Sequence, residues 1–348
     1  MSLLILIGLI MIYSSSYIWA SYKFDNSTKY LVQQGLFVLL GFIVLYILGK
    51  MNSSFFYKND KVFLILALIL LVLVIIPGVG SVRNGSRSWF GIGSFGIQPS
   101  EFMKFAIIIF SAKYLSIKKK TNSLKSVFPI IAVTALSFLL IMLEPDFGTG
   151  VILVMSILFL LFVAGLNIKY FYYFGIIGIF GTILLIMIAP YRIDRITSFI
   201  NPWSDPLGTG FQIIQSLYAI GPGGLFGFGF LSSRQKHFYL PEPQTDFIFS
   251  IICEEFGIFG ALVVISLFAI LIITIFKLAL DQDNLFKKHT IFGLGFSILF
   301  QTVLNLSVVV GLIPVTGVTL PFISYGGSSL LVTMTSIGII LNLSKKNN

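Results

Sequence analysis

Ten long apolar segments, separated mostly by short connections, constrain this chain more than any other feature of its sequence. A hydrocarbon layer about 30 Å thick is crossed by roughly 20 residues of α-helix, and it tolerates no unpaired backbone facing lipid. Leu, Ile, Phe and Gly dominate runs of this length, which favours helices over a barrel. The sequence therefore predicts an all-α integral membrane protein, a bundle of about ten transmembrane helices. The segments cover approximately residues 3–20, 31–49, 62–78, 100–116, 127–143, 150–166, 170–189, 246–276, 290–310 and 327–343.

The composition supports a membrane location and excludes other classes of protein. Of the 348 residues, 57% are hydrophobic and 10% are charged, whereas a soluble domain carries about 25% charged residues. The net charge of +10 lies mainly in short loops, which indicates attraction to anionic membrane lipids rather than binding of nucleic acid. The single cysteine, Cys253, excludes an intrachain disulfide and provides no metal-binding framework.

The connections predict one polytopic domain, residues 1–348, with a large extracellular loop between helices 7 and 8. This loop, residues 190–245, is rich in proline and glycine turns, which indicates a mobile, lid-like insertion over a cavity at membrane level. Within it, residues 211–220 are apolar but too few to cross a membrane, so they predict a re-entrant or surface helix. The eighth segment is longer than one upright span requires, and we expect it to tilt or to extend beyond the membrane.

The distribution of basic residues predicts which side of the membrane each loop faces. Most of the 23 lysines and arginines fall in alternate loops and near the C-terminus, which places those loops and both termini in the cytoplasm. Every arginine falls on the opposite, outer side. Because guanidinium groups bind phosphate and carboxylate bidentately, the arginines indicate an anionic ligand there; loop solubility and ion pairing are the alternative. They are Arg83, Arg87, Arg192, Arg195 and Arg234, with Lys236 beside the last.

The most informative stretch is residues 234–257, where a basic, proline-broken segment meets the eighth apolar segment. Prolines at 241 and 243 prevent a helix there, so Thr245 is expected to cap the next helix and Asp246 to lie in its first turn. A simple capping acid is one interpretation of Asp246. The other is functional, because Glu254 and Glu255 follow about two turns deeper, and carboxylates inside apolar segments are costly and usually functional.

A second constellation surrounds the start of the fourth apolar segment. Pro99 is expected to begin a helix, with Gln98 or Ser100 satisfying free N–H groups at its start. Glu101 and Lys104, three residues apart, share one face of that helix. They form either a structural ion pair or the polar wall of a cavity, in which Lys104 or Arg87 would reach a phosphate.

A third constellation, Glu144, Asp146 and Thr149, lies at the predicted outer end of the fifth segment. Two carboxylates so close need neighbouring cations, unless one of them is neutral. We expect an ion-paired loop, although these oxygens would also suit Mg²⁺.

A fourth constellation occupies residues 311–329, an apolar stretch with two prolines and many hydroxyls. Such a composition is typical of non-helical backbone that lines a cavity at membrane depth. Ser324, Ser328 and Ser329 would donate to sugar or phosphate oxygens, or would cap the following helix.

Two function classes fit these residues. One is an enzyme acting on a lipid-linked, phosphate-bearing substrate, and the other is a transporter or flippase for such a substrate. The ionisable residues of the spans cluster at the predicted outer ends, which favours a one-sided site. A polar headgroup crossing the inner halves would lose its hydrogen bonds, at several kcal/mol for each unsatisfied group.

Taken together, the constellations resemble those of the SEDS family (shape, elongation, division and sporulation). The resembling segments follow one another in order over nearly the whole chain, and the run at 234–249 is closer to the FtsW and SpoVE branch than to RodA. They are residues 11–16 (MIYSSS), 84–90 (NGSRSWF), 98–101 (QPSE), 144–149 (EPDFGT), 201–203 (NPW), 241–247 (PEPQTDF) and 314–329.

This resemblance implies a peptidoglycan glycosyltransferase that polymerises lipid II into glycan strands at the outer face of the cytoplasmic membrane. It implies a class B penicillin-binding protein, a transpeptidase, as partner, and a role at the division septum or the forespore membrane. The family's essential aspartate matches Asp246. A lipid II flippase remains the alternative.

The implied reaction gives each candidate residue an expected role. Inverting displacement of a lipid pyrophosphate needs one base for the acceptor hydroxyl, which we assign to Asp246. The pattern requires no cofactor, although Mg²⁺ or Mn²⁺ would be compatible with a pyrophosphate leaving group. The residues expected to bind the substrate are Arg83, Arg87, Gln98, Ser100, Glu101, Lys104, Glu144, Asp146, Thr149, Arg192, Arg195, Lys236, Ser324, Ser328 and Ser329.

Overall fold

The computed structural model describes residues 1–345 except residues 84, 92–95, 119–120 and 189. Each of the ten predicted spans corresponds to a helix, and their ends lie within a few residues of the predicted ones. The ten are α1 (Ser2–Phe24), α2 (Lys29–Lys50), α4 (Asp60–Ile75), α5 (Pro99–Ile117), α6 (Leu124–Leu143), α7 (Phe147–Val163), α8 (Lys169–Ile188), α11 (Ile248–Leu280), α12 (Leu285–Val309) and α13 (Gly327–Leu343). The prediction of an all-α membrane protein is therefore confirmed.

Six of these helices, α1, α2, α6, α8, α11 and α12, are long and apolar enough to cross a membrane by length and composition alone. Helices α7 and α13 are apolar but shorter, with 17 residues each. Helix α5 has 19 residues but carries Glu101, Lys104 and Lys113. These charges lower its hydropathy, and two of them belong to the candidate site.

In the described residues, the connections contain three short α-helices, two 3₁₀ helices of three residues each and one hairpin. The α-helices are α3 (Ser54–Lys58), α9 (Pro190–Ile200) and α10 (Phe211–Ile220). The predicted helix at residues 211–220 is thus confirmed; its Ser216 hydroxyl is buried and donates to the Val309 carbonyl oxygen at 2.7 Å. Strands β1 (Ser81–Arg83) and β2 (Ser86–Trp89) pair antiparallel, with Val82 opposite Arg87. The hairpin was not predicted, because its polar strands are too short to show an alternating apolar pattern.

Contacts within the chain group it into two compact units. The first unit contains residues 1–36, 172–270 and 301–326, and the second contains residues 37–171, 271–300 and 327–348. In the second, α5 and α7 supply a core of buried Ile107, Ile108 and Leu160, and Phe159 stacks on Phe296 at 4.1 Å between ring centroids. A single polytopic domain remains the prediction for the chain.

Helix α11 is interrupted at Gly257, in its part that belongs to the first unit, where φ is 62° and ψ is −157°. A glycine tolerates this positive φ without the steric cost that a side chain would add. Residues 221–229, which we call the glycine strap, run beside the interruption. The amides of Phe228 and Gly229 donate to the carbonyl oxygens of Glu254 and Glu255 at 3.0 and 2.9 Å. The strap therefore satisfies backbone groups that the interruption leaves without helical partners.

Candidate functional site

Asp246 lies two residues before α11, in a turn rather than in the helix. The expected Thr245 cap and the place of Asp246 in the first helical turn were therefore wrong. Glu242, with φ of 43°, closes a turn in which both the amide and the hydroxyl of Thr245 donate to the Glu242 carbonyl oxygen, at 3.0 and 2.8 Å. That turn uses the Thr245 hydroxyl and delays the start of the helix.

The backbone of Asp246 is held by an amide that sequence reasoning missed. Asn305 of α12 donates through Nδ2 to the carbonyl oxygens of Asp246 at 2.8 Å and of Val318 at 2.7 Å. Gly317 has φ of 75°, and a Cβ built on it would lie 3.8 Å from Asp246 Oδ2. The half-buried carboxylate thus lies beside the irregular loop of residues 311–326. Within the sequence, Asn305 is one of several polar residues in α12, so by itself it is a weak signal.

The same loop contacts two more predicted site residues. Arg195 of α9 donates through Nη1 to the Val315 carbonyl oxygen at 3.0 Å. Ser324 accepts the Leu320 amide at 2.9 Å, so its hydroxyl stabilises a turn within the loop rather than capping the following helix. The loop therefore brings Asp246, Arg195 and Ser324 to one part of the first unit. Arg192 is held elsewhere, donating to the Leu185 carbonyl oxygen at 2.7 Å.

In the second unit, Asp146 gathers three of the predicted residues. Its Oδ2 accepts from Gln98 Nε2 at 2.7 Å and from Ser100 Oγ at 3.3 Å, and its Oδ1 accepts the Thr149 amide at 3.1 Å. Asp146 is thereby the N-cap of α7. Helix α5 begins at Pro99 as predicted, but Gln98 and Ser100 direct their side chains to Asp146 instead of capping α5.

Glu144 is fully buried, and among the described residues neither of its carboxylate oxygens has a hydrogen-bond partner. Burial, and secondarily the charge of Asp146, raise the pKa of Glu144 to about 9. The expected ion-paired loop was wrong, since no salt bridge to either acid occurs in the described part of the chain. The raised pKa favours the other possibility that the spacing allowed, one neutral carboxyl. The Ser86 hydroxyl on β2 donates to the Glu144 carbonyl oxygen.

Glu101 and Lys104 form the predicted i, i+3 ion pair, 3.0 Å long, with 5% of each residue exposed. The second oxygen of Glu101 is buried and has no partner among the described residues. Charge that is incompletely satisfied at this depth is more typical of a ligand-binding position than of a purely structural pair.

The remaining second-unit candidates lie on the hairpin and at the start of α13. Arg83 of β1 stacks over Trp89 with 5.0 Å from its guanidinium carbon to the ring centroid. Arg87 of β2 is half-buried. The Ser328 hydroxyl is buried, without a hydrogen-bond partner in the part of the chain that the structure describes, whereas Ser329 is half-buried.

Lys236 departs from its predicted role. It is fully buried, and its ammonium lies 2.7 Å from Glu255 Oε1 and 3.2 Å from Ser14 Oγ. A cation enclosed in this way is a structural partner rather than a ligand for substrate phosphate. Glu254 and Glu255 were recognised as unusual in the sequence, but nothing in their surroundings indicated Ser14, which is 241 residues from Glu255.

Within the described residues, no group of three or more His, Cys, Asp and Glu side chains is arranged to hold a metal ion. Asp146 and Glu101 have carboxylate oxygens of the kind that bind a metal ion. Both carboxylates already accept hydrogen bonds, Asp146 from Gln98 and Glu101 from Lys104.

Known proteins match this chain over its whole length. The sequence model of the FtsW/RodA/SpoVE family, described as cell cycle proteins, matches residues 1–348. Stage V sporulation protein E of Bacillus subtilis is 50% identical over 345 residues, which cover 99% of this chain and 94% of that protein. The probable peptidoglycan glycosyltransferase FtsW of Legionella pneumophila is 37% identical over 350 residues, covering 99% of this chain and 89% of that protein.

Solved structures agree with these sequence matches. A chain from a peptidoglycan synthase complex that coordinates polymerization and crosslinking has a TM-score of 0.78 and 29% identity, covering 97% of this chain and 95% of that chain. The rod shape determining protein RodA of Thermus thermophilus has a TM-score of 0.73 and 26% identity, covering 99% of this chain and 93% of that chain.

Proposed function

This chain belongs to the FtsW/RodA/SpoVE family of cell cycle proteins, and from that membership we propose that it is a peptidoglycan glycosyltransferase that joins lipid II into glycan strands. Relatives over nearly its full length are named as peptidoglycan glycosyltransferases. The observation that carries the proposal is the placement of Asp246. Its carboxylate is half-buried beside Gly317, and its backbone is fixed by Asn305.

Asp246 is the general base of the proposed reaction. The donor sugar of lipid II is linked α to pyrophosphate and the product bond is β, so one inverting displacement suffices. The acceptor hydroxyl loses its proton to the Asp246 carboxylate as its oxygen attacks the anomeric carbon, and the bond to pyrophosphate breaks. A carboxylate held by its neighbours, rather than free in a loop, limits the entropy lost when the reacting groups align.

Pyrophosphate departs without a proton when cations balance its charge. The candidates for this role are Arg83, Arg87, Lys104, Arg192 and Arg195. Lys236 is no longer a candidate for binding the substrate, because its buried ammonium is paired with Glu255. A divalent cation would supply the same charge. The oxygen of Glu101 that lacks a partner among the described residues is one acceptor for substrate hydroxyl or amide groups.

The proposal extends to partner and location. The matched chain from a synthase complex that coordinates polymerization with crosslinking supports a class B penicillin-binding protein as partner. The sporulation and FtsW relatives support the septum or forespore membrane. We place both termini in the cytoplasm from the lysine-rich loops, and residues 190–245 outside as a lid-like loop.

The decisive experiment supplies purified protein in detergent with lipid II, with and without the candidate transpeptidase, and measures glycan length. Wild type should form polymer when its partner is present. Asp246→Asn keeps the size of the side chain but removes the base, so the rate should fall by about 100-fold or more. The control is Asp205→Asn, in the same loop, where the new amide oxygen can still accept from Thr209.

The outcome also separates the enzyme from a flippase. No bilayer exists to be crossed in detergent, so polymer there requires catalysis of bond formation. Near-normal polymerisation by Asp246→Asn would reject Asp246 as the base. Transbilayer movement of labelled lipid II in proteoliposomes, with no polymer from wild type under any partner condition, would reject the enzyme.

A further inference from the structure

We propose that Glu255, with Lys236 and Ser14, forms a positioning set for Asp246, an inference that rests on the proposed function because it concerns the proposed base. None of the three is a catalytic residue. They act by holding residues 237–247, which we call the Asp246 loop, against the first two turns of α11. All of the contacts involved lie within the first unit.

The first two turns of α11 are separated from the rest of the helix by the glycine strap. A continuous helix would join the Glu254 carbonyl to the Ile258 amide and the Glu255 carbonyl to the Phe259 amide. Here the two carbonyls accept from Phe228 and Gly229 instead. The Ile258 and Phe259 amides donate to the carbonyls of Gly224 and Leu225, at 2.9 and 3.1 Å. Residues 248–256 are therefore a short helix with its own attachments, and Asp246 lies in the turn two residues before it.

The side chains at the end of this short helix bind residues 233–236, which lead directly into the Asp246 loop. Glu254 accepts the Ser233 hydroxyl at 2.5 Å and the Arg234 amide at 2.8 Å. Glu255 accepts the Lys236 ammonium at 2.7 Å, and the Ser14 hydroxyl contacts both of its oxygens at 2.7 Å. Each charged group is thus fixed by several partners, in geometry suited to charge-assisted hydrogen bonds.

The Asp246 loop is consequently closed at both ends on one short helix. Its beginning is attached through Lys236 to Glu255, and its end continues into Ile248. Inside it, buried Leu240 donates its amide to the Gln235 carbonyl at 2.8 Å, and the Gln244 carbonyl accepts the Tyr325 amide at 2.8 Å. Releasing one end of a closed loop returns conformational freedom to all of it, and Asp246 would then spend less time in its reactive position.

Ser14 makes this arrangement more than a local contact. It brings α1, the first helix of the chain, to the carboxylate of Glu255, and it also accepts from Lys236 at 3.2 Å. Glu255, Lys236 and Ser14 are all fully buried, with 0% exposure. Water therefore offers no alternative partner for either charge. The cluster is therefore ordered only when all three residues are present.

The test uses Lys236→Met with Glu255→Gln, which removes both charges while keeping side-chain length. The matched control is an ion pair of the other unit that lies outside the candidate site, Asp60 with Lys113 at 2.6 Å, changed to Asn and Met. Initial rates over a range of lipid II concentrations, with the partner transpeptidase, give kcat and KM. Hydrogen–deuterium exchange measures the amides of residues 237–247 in the same preparations.

We expect the double variant to have kcat reduced by about 10- to 100-fold with KM within about twofold of wild type, since the base is misplaced while substrate contacts remain. Exchange in the Asp246 loop should accelerate by about tenfold or more, and the control pair should change neither. Unaltered exchange, or kcat within twofold of wild type, would overturn the proposal. If the double variant does not fold, Ser14→Ala can replace it, because this change leaves the ion pair intact. Ser14→Ala should accelerate exchange in the Asp246 loop by about threefold. Unchanged exchange in this variant would reject the proposal.

The two proposals fail separately. If wild type makes no polymer under any condition, the proposed function is lost, and the exchange measurement alone decides whether the three residues hold the loop. If wild type is active and the double variant is equally active, the function stands and the positioning set does not.

Discussion

Each unit contains two acidic residues close together in sequence, and the two pairs are satisfied very differently; Glu254, Glu255 and Glu144 are buried, and Asp146 is half-buried. In the first unit, all four carboxylate oxygens of Glu254 and Glu255 accept hydrogen bonds. In the second, Asp146 is satisfied by Gln98, Ser100 and the Thr149 amide, whereas Glu144 has no partner for its side chain among the described residues.

This difference distinguishes acids with a structural role, whose hydrogen-bonding groups are all paired, from a polar site in which an acid still has unpaired hydrogen-bonding groups. Burying a carboxylate is tolerable when charge and hydrogen bonds compensate it, as Lys236 and Ser14 do for Glu255. Where compensation is incomplete, the group remains protonated, as burial and Asp146 favour for Glu144. Its proton can then be donated to a ligand. The acids of the first unit thus define geometry, and in the second unit the side chain of Glu144 retains hydrogen-bonding capacity.

The largest effect is expected from breaking the Lys236–Glu255 ion pair of the first unit. Lys236→Met alone leaves Glu255 buried without its cation, which should lower the free energy of unfolding by about 3–5 kcal/mol. Adding Glu255→Gln should recover much of that loss. Thermal unfolding in detergent, followed by tryptophan fluorescence, measures both. A single variant as stable as wild type would show that the first unit does not depend on this pair.

The next test concerns the Glu101–Lys104 pair. Because the two charges meet at 3.0 Å in a buried position, Glu101→Gln and Lys104→Met should be less damaging together than the sum of the single changes, by about 1–3 kcal/mol. A double-mutant cycle on thermal stability, repeated for polymerisation rate, gives the coupling. Simple additivity in both measurements would mean that the residues act independently.

A smaller effect is expected at Asp146. Asp146→Ala removes the N-cap of α7 and should cost about 1 kcal/mol, while Asp146→Asn keeps an acceptor for the Thr149 amide and should cost less. Circular dichroism during heating measures the difference. Equal losses from Ala and Asn would indicate that the charge, rather than the cap, stabilises this junction.

The smallest effect is expected for Glu144→Gln at pH 5, within about 0.5 kcal/mol, because the wild-type carboxyl is already protonated there. A folded-state pKa of about 9 lies above the ordinary 4.5. Its contribution to stability is therefore complete below pH 4.5 and is lost progressively as the pH rises to about 9. Melting temperatures at pH 5, 7 and 9 should show the Gln variant gaining on wild type. Parallel curves would contradict a protonated Glu144.

The sequence sufficed for the helices because each is recorded locally in a run of apolar residues of membrane-spanning length. It also indicated the Glu101–Lys104 contact, since residues three apart on a helix are neighbours. Asp246 was found from its position between prolines and an apolar segment, although the turn that holds it was mistaken for a helix start.

What could not be predicted depends on residues far apart in the chain. Lys236 looked like one more basic loop residue because its partner Ser14 is 222 positions away. Asn305 gave no local sign that it holds the Asp246 backbone. The interruption at Gly257 was hidden for another reason: the sequence continues after it as one long apolar run, and the strap that replaces its hydrogen bonds precedes it by about 30 residues.

The interruption at Gly257 also divides α11 into a short part and a part that is long enough to cross a membrane by itself. The 33 residues from Ile248 to Leu280 would extend about 50 Å as one helix, far more than a hydrocarbon layer of about 30 Å. The portion from Ile258 to Leu280 extends about 34 Å and is sufficient by itself. This division leaves the acids at 254 and 255 outside the portion that is sufficient to span hydrocarbon, where ionised groups are costly. We predict that a hydrocarbon layer several ångströms thicker than this portion would slow glycan synthesis, which can be measured in bilayers made from lipids with longer chains.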